Sequence, residues 1–233
     1  MMRRAVAGGA ALAMTACFVG LGLWQVQRRA WKHDLIAQVE ARVHAPPIPA
    51  PARAEWAAFS PAREAYRRVV VEGRLLWNRQ TLVRATTVLG SGYWVMTPMR
   101  TSNGTILINR GFVPPEQREA VLQGTERDDD GMIRLVGLLR PSEPGGGFLR
   151  SNDAANDRWY SRDVAAIAGR HRLEDIAPFF VDVEATAGSA GYPVGGLTVI
   201  SFTDNHLVYA LTWFGLALLS ARGCFIFLFS DRE

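Results

Sequence analysis

The residue with the clearest chemical potential is His206, which directly precedes an apolar run from Leu207 to Phe229. Tyr209 and Trp213 follow it by three and seven residues, so a helix would place all three on one face. A neutral imidazole at a lipid boundary, flanked by aromatic rings, is able to ligate a haem iron and to support its macrocycle. The same residues are typical of an aromatic belt at a membrane interface, and their spacing alone favours that simpler interpretation.

The other candidate chemical groups form no pattern that indicates catalysis. The remaining histidines, which have no partner at a metal-ligand spacing, are His33, His44 and His171. The run Gly145–Gly147 lacks the lysine of a phosphate-binding loop, and Asp128–Asp130 lacks an EF-hand pattern, so we expect a solvated acidic loop there. Asp163 and Asp182 suit a helix cap and a strand end. The sequence therefore offers no catalytic constellation, which disfavours a membrane-tethered periplasmic enzyme.

Charge is unevenly distributed along the 233 residues, and its balance excludes several classes of protein. The chain has 26 Lys and Arg against 22 Asp and Glu, which gives a net charge of +4. Between Gln27 and His206 the counts are 22 and 20, without the excess expected of a nucleic-acid binder. Both cysteines, Cys17 and Cys224, fall in the apolar ends, so the middle of the chain has neither a disulfide framework nor a thiolate zinc site.

Both ends of the chain are apolar enough to cross a lipid bilayer. Residues 5–24 carry no charge, and about 20 helical residues span the hydrocarbon core. We predict transmembrane helices over 5–26 and 206–229, the first of them uncleaved because the apolar run continues through 18–24. Arg222 interrupts the second span, where its side chain either snorkels to the interface or contacts a partner inside the membrane.

Two spans place the terminal tails, residues 1–4 and 230–233, on one side of the membrane and the middle of the chain on the other. Basic residues both precede and follow the first span. The positive-inside rule therefore does not assign a side to the middle of the chain.

The middle of the chain is expected to hold a linker and one β-rich domain. Residues 27–65 are predicted to form a helical extension over 30–43 and then a stiff, extended Pro-rich spacer over 46–61. Residues 66–203 form the domain, in which Asn103-Gly104 is a strong hairpin signal. The predicted strands cover 66–77, 80–88, 92–100, 104–112, 132–139, 178–183 and 197–202, and short helices cover 115–123 and 164–169. The expected fold class is an α+β membrane protein, a transmembrane hairpin flanking a mainly antiparallel β barrel or sandwich.

Short motifs in a fixed order extend along nearly the whole chain. The most specific block is Ile108–Pro114, with the sequence INRGFVP. The other blocks are Leu21–Gln25, Tyr66–Val69, Gly92-Tyr93, Thr97-Pro98, Trp159–Asp163, Phe180–Asp182, Pro193–Gly196, and Asn205–Leu207 followed by Tyr209, Thr212, Trp213 and Phe214. With these motifs the chain resembles the surfeit locus protein 1 family, the membrane-anchored assembly factors of cytochrome c oxidase.

The resemblance implies a bacterial inner-membrane protein with two spans and a periplasmic domain. It implies a role in the maturation of haem-copper oxidase, binding haem a and helping to deliver it to subunit I, alongside other oxidase assembly or haem a synthesis factors. His206 then becomes the candidate ligand of the haem iron, and Tyr209, Trp213 and Trp24 become candidate haem contacts. The alternative is a scaffold that stabilises assembly intermediates of subunit I without binding haem.

The resemblance leaves two further points about individual residues. Asn109 and Arg110, in the most specific block, are interpreted as structural, with pairing of Arg110 to a haem propionate as the alternative for that residue. Arg222 and the acidic residues of the tail 231–233 depart from the usual pattern of the family, which puts the packing of the second span against a partner in doubt.

Overall fold

The structure is a computed structural model, and it describes residues 2–123, 131–147, 149–185, 191–198 and 204–229. The helices are α1 (Met2–His44), α2 (Pro61–Glu64), α3 (Arg118–Gln123), α4 (Val164–His171) and α5 (His206–Phe229). The strands are β1 (Ile48–Pro49), β2 (Arg68–Leu75), β3 (Thr81–Thr87), β4 (Gly90–Thr101), β5 (Gly104–Val113), β6 (Ile133–Pro141) and β7 (Ile176–Val183). The chain falls into two compact units: its two ends, up to Gln38 and from Ile200, and the stretch Val39–Val199, called the domain below.

The first and last helices have the length and the composition of membrane spans. The qualifying stretches are Val6–His44 and His206–Phe227, with mean hydropathies of 1.9 and 1.6 in their most apolar windows. The prediction of two apolar terminal helices is confirmed on this basis. Helix α1 continues through the predicted extension because neither Gly nor Pro occurs from Trp24 to Ala45, and the Pro46-Pro47 pair ends it.

The prediction of an extended spacer over residues 46–61 is wrong. Residues of β1 pair in parallel with β2, and a 3-10 turn covers Arg53–Ala58. The rings of Trp56 and Phe59 pack on Phe179, with centroids 6.3 and 5.2 Å apart. Burial of these two aromatic side chains outweighs the preference of the Pro- and Ala-rich segment for a solvated, extended chain.

Five of the described strands close into a barrel in the order β2-β6-β7-β5-β4, and β4 returns to β2 through the pairs Arg74–Arg100 and Leu75–Met99. Strands β1 and β3 extend the sheet beside β2 and β4. The pairings are antiparallel except β1–β2 and β5–β7, so the prediction of a mainly antiparallel barrel is confirmed. Gly73 permits the closure, because a Cβ at this position would lie 2.3 Å from the carbonyl oxygen of Arg100.

Apolar side chains at alternate positions fill the interior of the barrel. The buried set is Val69, Val71, Met99, Ile106, Ile108, Leu139, Ala177, Phe179 and Val181. A second cluster, which includes Trp159, Ile167 and Phe180, covers the opposite face of β5 and β7 with helix α4. Asp163 caps that helix as expected, since its side chain accepts a hydrogen bond from the backbone N–H of Ala166.

Some of the other predictions fall on residues outside the described ranges. The acidic run within 126–130, the tail 230–233 and most of the expected strand 197–202 all lie there. The hairpin predicted at Asn103-Gly104 is present between β4 and β5, where Gly104 has a φ of +118°.

Asp182 is the centre of a buried polar cluster on β7. Its side chain is 4% exposed and accepts hydrogen bonds from Arg140 (3.0 Å), Arg162 (3.1 Å) and Asn109 (2.8 Å). The Thr198 hydroxyl donates a further bond of 2.9 Å. Burial lowers the pKa of Arg162, but the carboxylates of Asp182 and Glu143 outweigh that effect and raise it. The expected strand-end role of Asp182 thus includes the neutralisation of two buried guanidinium groups.

We expect Asp182→Ala to lower the free energy of unfolding by about 3 kcal/mol, because it removes the buried carboxylate shared by Arg140 and Arg162 and leaves them only the more exposed Glu143. The measurement is a urea titration of the full-length protein in mild detergent, followed by tryptophan fluorescence. The control is Glu72→Ala, which breaks the exposed pair with Arg134 and should cost less than about 1 kcal/mol. Equal losses in the two variants would show that the cluster contributes no more than a surface pair.

Candidate functional site

Helices α1 and α5 pack against each other as an antiparallel pair. Cys224 donates to the Gly8 carbonyl at 3.8 Å near one end, and Gln25 contacts His206 near the other. The contact residues recur every three or four positions, as in a coiled coil. On α1 they are Gly8, Ala11, Thr15, Phe18, Gly22, Gln25 and Arg29, and on α5 they are His206, Ala210, Trp213, Ala217, Ser220 and Cys224.

Small residues and hydrogen bonds hold this pair together, as expected where lipid weakens the hydrophobic drive between helices. The Thr15 hydroxyl lies 3.0 Å from the Ser220 hydroxyl, and Ser220 also lies 3.3 Å from the carbonyl oxygen of Ala11. A Cβ at Gly22 would lie 2.5 Å from the ring of Phe214, so glycine is what allows the ring to approach. This close contact lies about one turn from Gln25.

His206 lies at the first turn of α5, where the side chain of Gln25 fixes its orientation. Its Nδ1 lies 2.7 Å from the Oε1 atom of Gln25, and Gln25 is buried. Because a carbonyl oxygen can only accept, Nδ1 carries the hydrogen and donates it. The neutral ring then keeps an unshared electron pair on Nε2, the nitrogen suited to bind a metal.

Asp204 organises the same end of the helix pair. One of its oxygens accepts the backbone N–H of His206 at 3.0 Å, and the other accepts from Nε2 of His33 at 2.7 Å, with Arg29 at 3.6 Å. The hydrogen bond from the His206 backbone, followed by that from His33, keeps the pKa of Asp204 below its usual value. The Asp204 carboxylate thus ties the start of α5 to His33 and Arg29 of α1.

The aromatic residues predicted around His206 divide into two groups. Trp213 faces α1 and stacks on Phe18, with centroids 5.8 Å apart and an interplanar angle of 27°. Tyr209 and Trp24 are each 54% exposed and point away from the contact between the helices. The structure thus brings His206 and Trp213 onto one face, with Tyr209 at its rim and Trp24 on the outer surface of α1.

Sequence reasoning missed Gln25 as a member of this site, although a signal was available. Gln25 is an uncharged polar residue at the end of an apolar run, seven positions after Phe18 and three after Gly22. That spacing places it on the helix face that packs against α5. Its partner is 181 residues away, so no local pattern could identify the contact.

Two other sequence candidates have structural roles in the domain. The side-chain amide of Asn109 donates a hydrogen bond to Asp182. The side-chain oxygen of the same residue accepts one from the backbone N–H of Gly111 at 3.1 Å. Arg110 donates to Gln80 at 3.0 Å and lies over the Trp77 ring at 4.4 Å. Both residues therefore contribute to the shape of the domain, as the structural interpretation of the most specific block expects.

Comparison with known proteins covers both the helix pair and the domain. A family model described as the SURF1 family matches residues 12–218. This chain belongs to the SURF1 family. One similar protein is surfeit locus protein 1 of Rattus norvegicus, which is 35% identical over 88% of this chain and 70% of its own length. Surfeit locus protein 1 of Homo sapiens is 34% identical over 85% of this chain and 69% of its own length. A SURF1-like protein of Monosiga brevicollis is 30% identical over 91% of this chain and 83% of its own length.

The SURF1 match includes both Gln25 and His206, so both members of the contact lie in the part of the chain that defines the family. Arg222 lies beyond the matched residues. In the structure it is exposed on α5, on the side away from Ala217 and Cys224. An outward position fits both the snorkelling and the partner-contact interpretations of Arg222.

We expect Gly22→Leu to loosen the helix pair by about 1–3 kcal/mol, because the new side chain meets the Phe214 ring. An SDS titration of the full-length protein, followed by circular dichroism, measures this as a lower midpoint. The matched control is Gly20→Leu, two residues away, where a Cβ meets nothing within 4 Å. A midpoint lowered as much by Gly20→Leu as by Gly22→Leu would contradict this packing.

Proposed function

We propose that this protein is a membrane-anchored assembly factor of cytochrome c oxidase, which binds haem a at one end of its helix pair and helps to deliver it to subunit I. The observation that carries the proposal is the contact between Gln25 and His206, which prepares one imidazole nitrogen for a metal. Membership of the SURF1 family supports the process, and the two apolar helices support the location in a membrane.

The donor set of this end of the helix pair fits a haem iron. In the proposal His206 binds the iron through Nε2, while Gln25 holds the ring and its tautomer in place. Tyr209 and Trp24 are exposed beside the contact between the helices and supply aromatic surface for the macrocycle. The Trp213 ring, stacked on Phe18, lies about two turns further along α5 on the same face as His206. An apolar cargo held here remains next to lipid and avoids transfer through water.

The domain serves to organise partners in this proposal. Its interior is filled by side chains such as Met99 and Phe179, so its outer surface is what remains for binding. The partners would be subunit I and other oxidase assembly or haem a synthesis factors, with the domain in the periplasm of a bacterium and the helices in its inner membrane. The protein performs no catalysis of its own, and the engagement of Asp163 and Asp182 in structural contacts supports this.

The second candidate is a scaffold that stabilises assembly intermediates of subunit I and binds no haem. The filled barrel interior fits this function, because a packed core leaves the outer surface of the domain for contacts with partner proteins. The two functions differ in one measurable property, which is whether haem is bound to the purified protein.

We expect full-length protein purified in mild detergent from cells that make haem a to show the visible spectrum of bound haem. His206→Ala should abolish that spectrum, and added imidazole should restore it by occupying the vacated ligand position. Gln25→Leu should weaken haem binding about 10- to 100-fold, as expected when the partner of a metal-binding histidine is removed. Titration of the purified apoprotein with haem measures the affinity.

The control is His44→Ala, which removes another histidine of α1, one that bonds to the carbonyl of Glu40 and contacts neither Gln25 nor Asp204. It should leave the haem spectrum as in the wild type. Wild-type protein without haem would support the scaffold, whereas unchanged haem in His206→Ala would retain the carrier and reject His206 as the ligand.

A further inference from the structure

Arginine supplies 25 of the 26 basic residues, and within the described part of the domain eight arginines form ion pairs with carboxylates. The paired residues are Arg53, Arg67, Arg68, Arg118, Arg134, Arg140, Arg158 and Arg162. At one end of the barrel, four arginines line one cavity, and three of them, Arg79, Arg100 and Arg172, have no such ion pair among the described residues.

This basic cavity has a volume of about 690 Å³ and is lined by Arg53, Arg79, Arg100 and Arg172 together with residues 101–105 and 173–175. Its lining comes from four separate parts of the domain: the 3-10 turn before α2, the turn before β3, the β4–β5 hairpin, and the loop between α4 and β7. Arginines from distant parts of the chain thus line one space.

The lining carries an excess of positive charge. Four guanidinium groups face two carboxylates, Glu174 and Asp175, and Asp175 is paired with Arg53. Within the described part of the chain, no carboxylate forms an ion pair with Arg79, Arg100 or Arg172. Positive charges that border one cavity repel one another, and an anion bound among them would offset that repulsion.

Two further features of these arginines also favour a bound anion. In the pairing of β2 with β4, Arg74 lies directly opposite Arg100, an arrangement of like charges that destabilises a sheet unless a counter-charge is present. Arg172 ends helix α4 with a φ of +51°, a conformation that favours Gly or Asn. Both positions retain a guanidinium where another residue would fit the local structure better.

Hydrogen bonds hold the loops of the cavity in place. The backbone N–H of Thr105 donates a hydrogen bond to the backbone carbonyl oxygen of Asp175 at 2.7 Å. The hydroxyl of Thr105 donates another to the backbone carbonyl oxygen of Glu174 at 3.1 Å. Across the hairpin turn, the hydroxyl of Thr101 donates to the Gly104 carbonyl at 2.8 Å. A cavity with fixed walls loses little conformational entropy when a ligand binds.

We propose that the basic cavity binds a phosphate-bearing anion. Guanidinium groups and the short polar side chains of Ser102 and Asn103 supply the donors that phosphate oxygens accept. Leu173 is the one large apolar residue of the lining, whereas a docked protein segment needs apolar anchor points. The phosphate belongs either to a phospholipid headgroup or to a soluble compound, and this site is separate from the haem proposal.

The test is calorimetric titration of the full-length protein in neutral detergent with inorganic pyrophosphate. We expect binding that weakens with added salt and that falls about tenfold or more in Arg100→Gln and in Arg172→Gly, since each removes a charge-assisted contact. Arg172→Gly is informative because glycine suits the φ of this position, so its unfolding midpoint should not fall. The matched control is Arg134→Gln, an exposed arginine outside the cavity, which should bind as the wild type does.

The source of the phosphate is decided by repeating the titration in nanodiscs. If the headgroup of an anionic phospholipid is the ligand, discs containing phosphatidylglycerol will compete with pyrophosphate, and discs of phosphatidylcholine will not. If a soluble compound is the ligand, both kinds of disc will give the same affinity. The proposal is overturned if pyrophosphate does not bind at millimolar concentration, if Arg134→Gln weakens binding as much as Arg100→Gln, or if hexaglutamate binds more tightly, which would indicate an acidic protein segment.

Discussion

The hydrogen bond between Gln25 and His206 is the interaction on which the candidate site depends. It joins two helices that the chain separates by 181 residues, and it determines which nitrogen of the imidazole is available. The packing around it is arranged so that this bond can form. Glycine at position 22 lets the Phe214 ring approach, and Asp204 holds the first turn of α5. Without close contact between the helices, the imidazole would lack a fixed orientation.

The domain depends on a different interaction, the pairing of buried charges beside an apolar core. Alternate residues of its strands fill the barrel interior, whereas the outer face of β7 carries Asp182 between two arginines. A buried cluster of this kind contributes little net stability when complete and is costly when broken. It therefore fixes the geometry of the strand that carries it, because other arrangements would leave a guanidinium unpaired.

The sequence was informative wherever structure depends on local pattern. The uncharged run at the N-terminus, the β-branched residues 69–71 of β2 and the turn residues Asn103-Gly104 each predict an element that is present. It was less informative where a contact joins distant residues. The Pro- and Ala-rich composition around Trp56 suggested a spacer, although two aromatic side chains there complete the core. Closure of the barrel between β2 and β4, the parallel pairing of β5 with β7, and the Gln25 contact have no local signal, because each depends on where the rest of the chain lies.

The antiparallel pairing of the first and last helices has a consequence for the order of events during synthesis. In the proposed membrane topology, α1 would enter the membrane long before α5 is synthesised, so the polar groups of α1 would at first lack their partners on α5. Thr15 has a hydrogen-bond partner within α1, because its hydroxyl also donates to the carbonyl oxygen of Ala11 one turn earlier. Gln25 lies at the end of the apolar run, where water can solvate it during the delay. A ribosome that stops before residue 206 would therefore release a chain with a complete barrel and an anchored first helix, but without the imidazole that gives the molecule its proposed task.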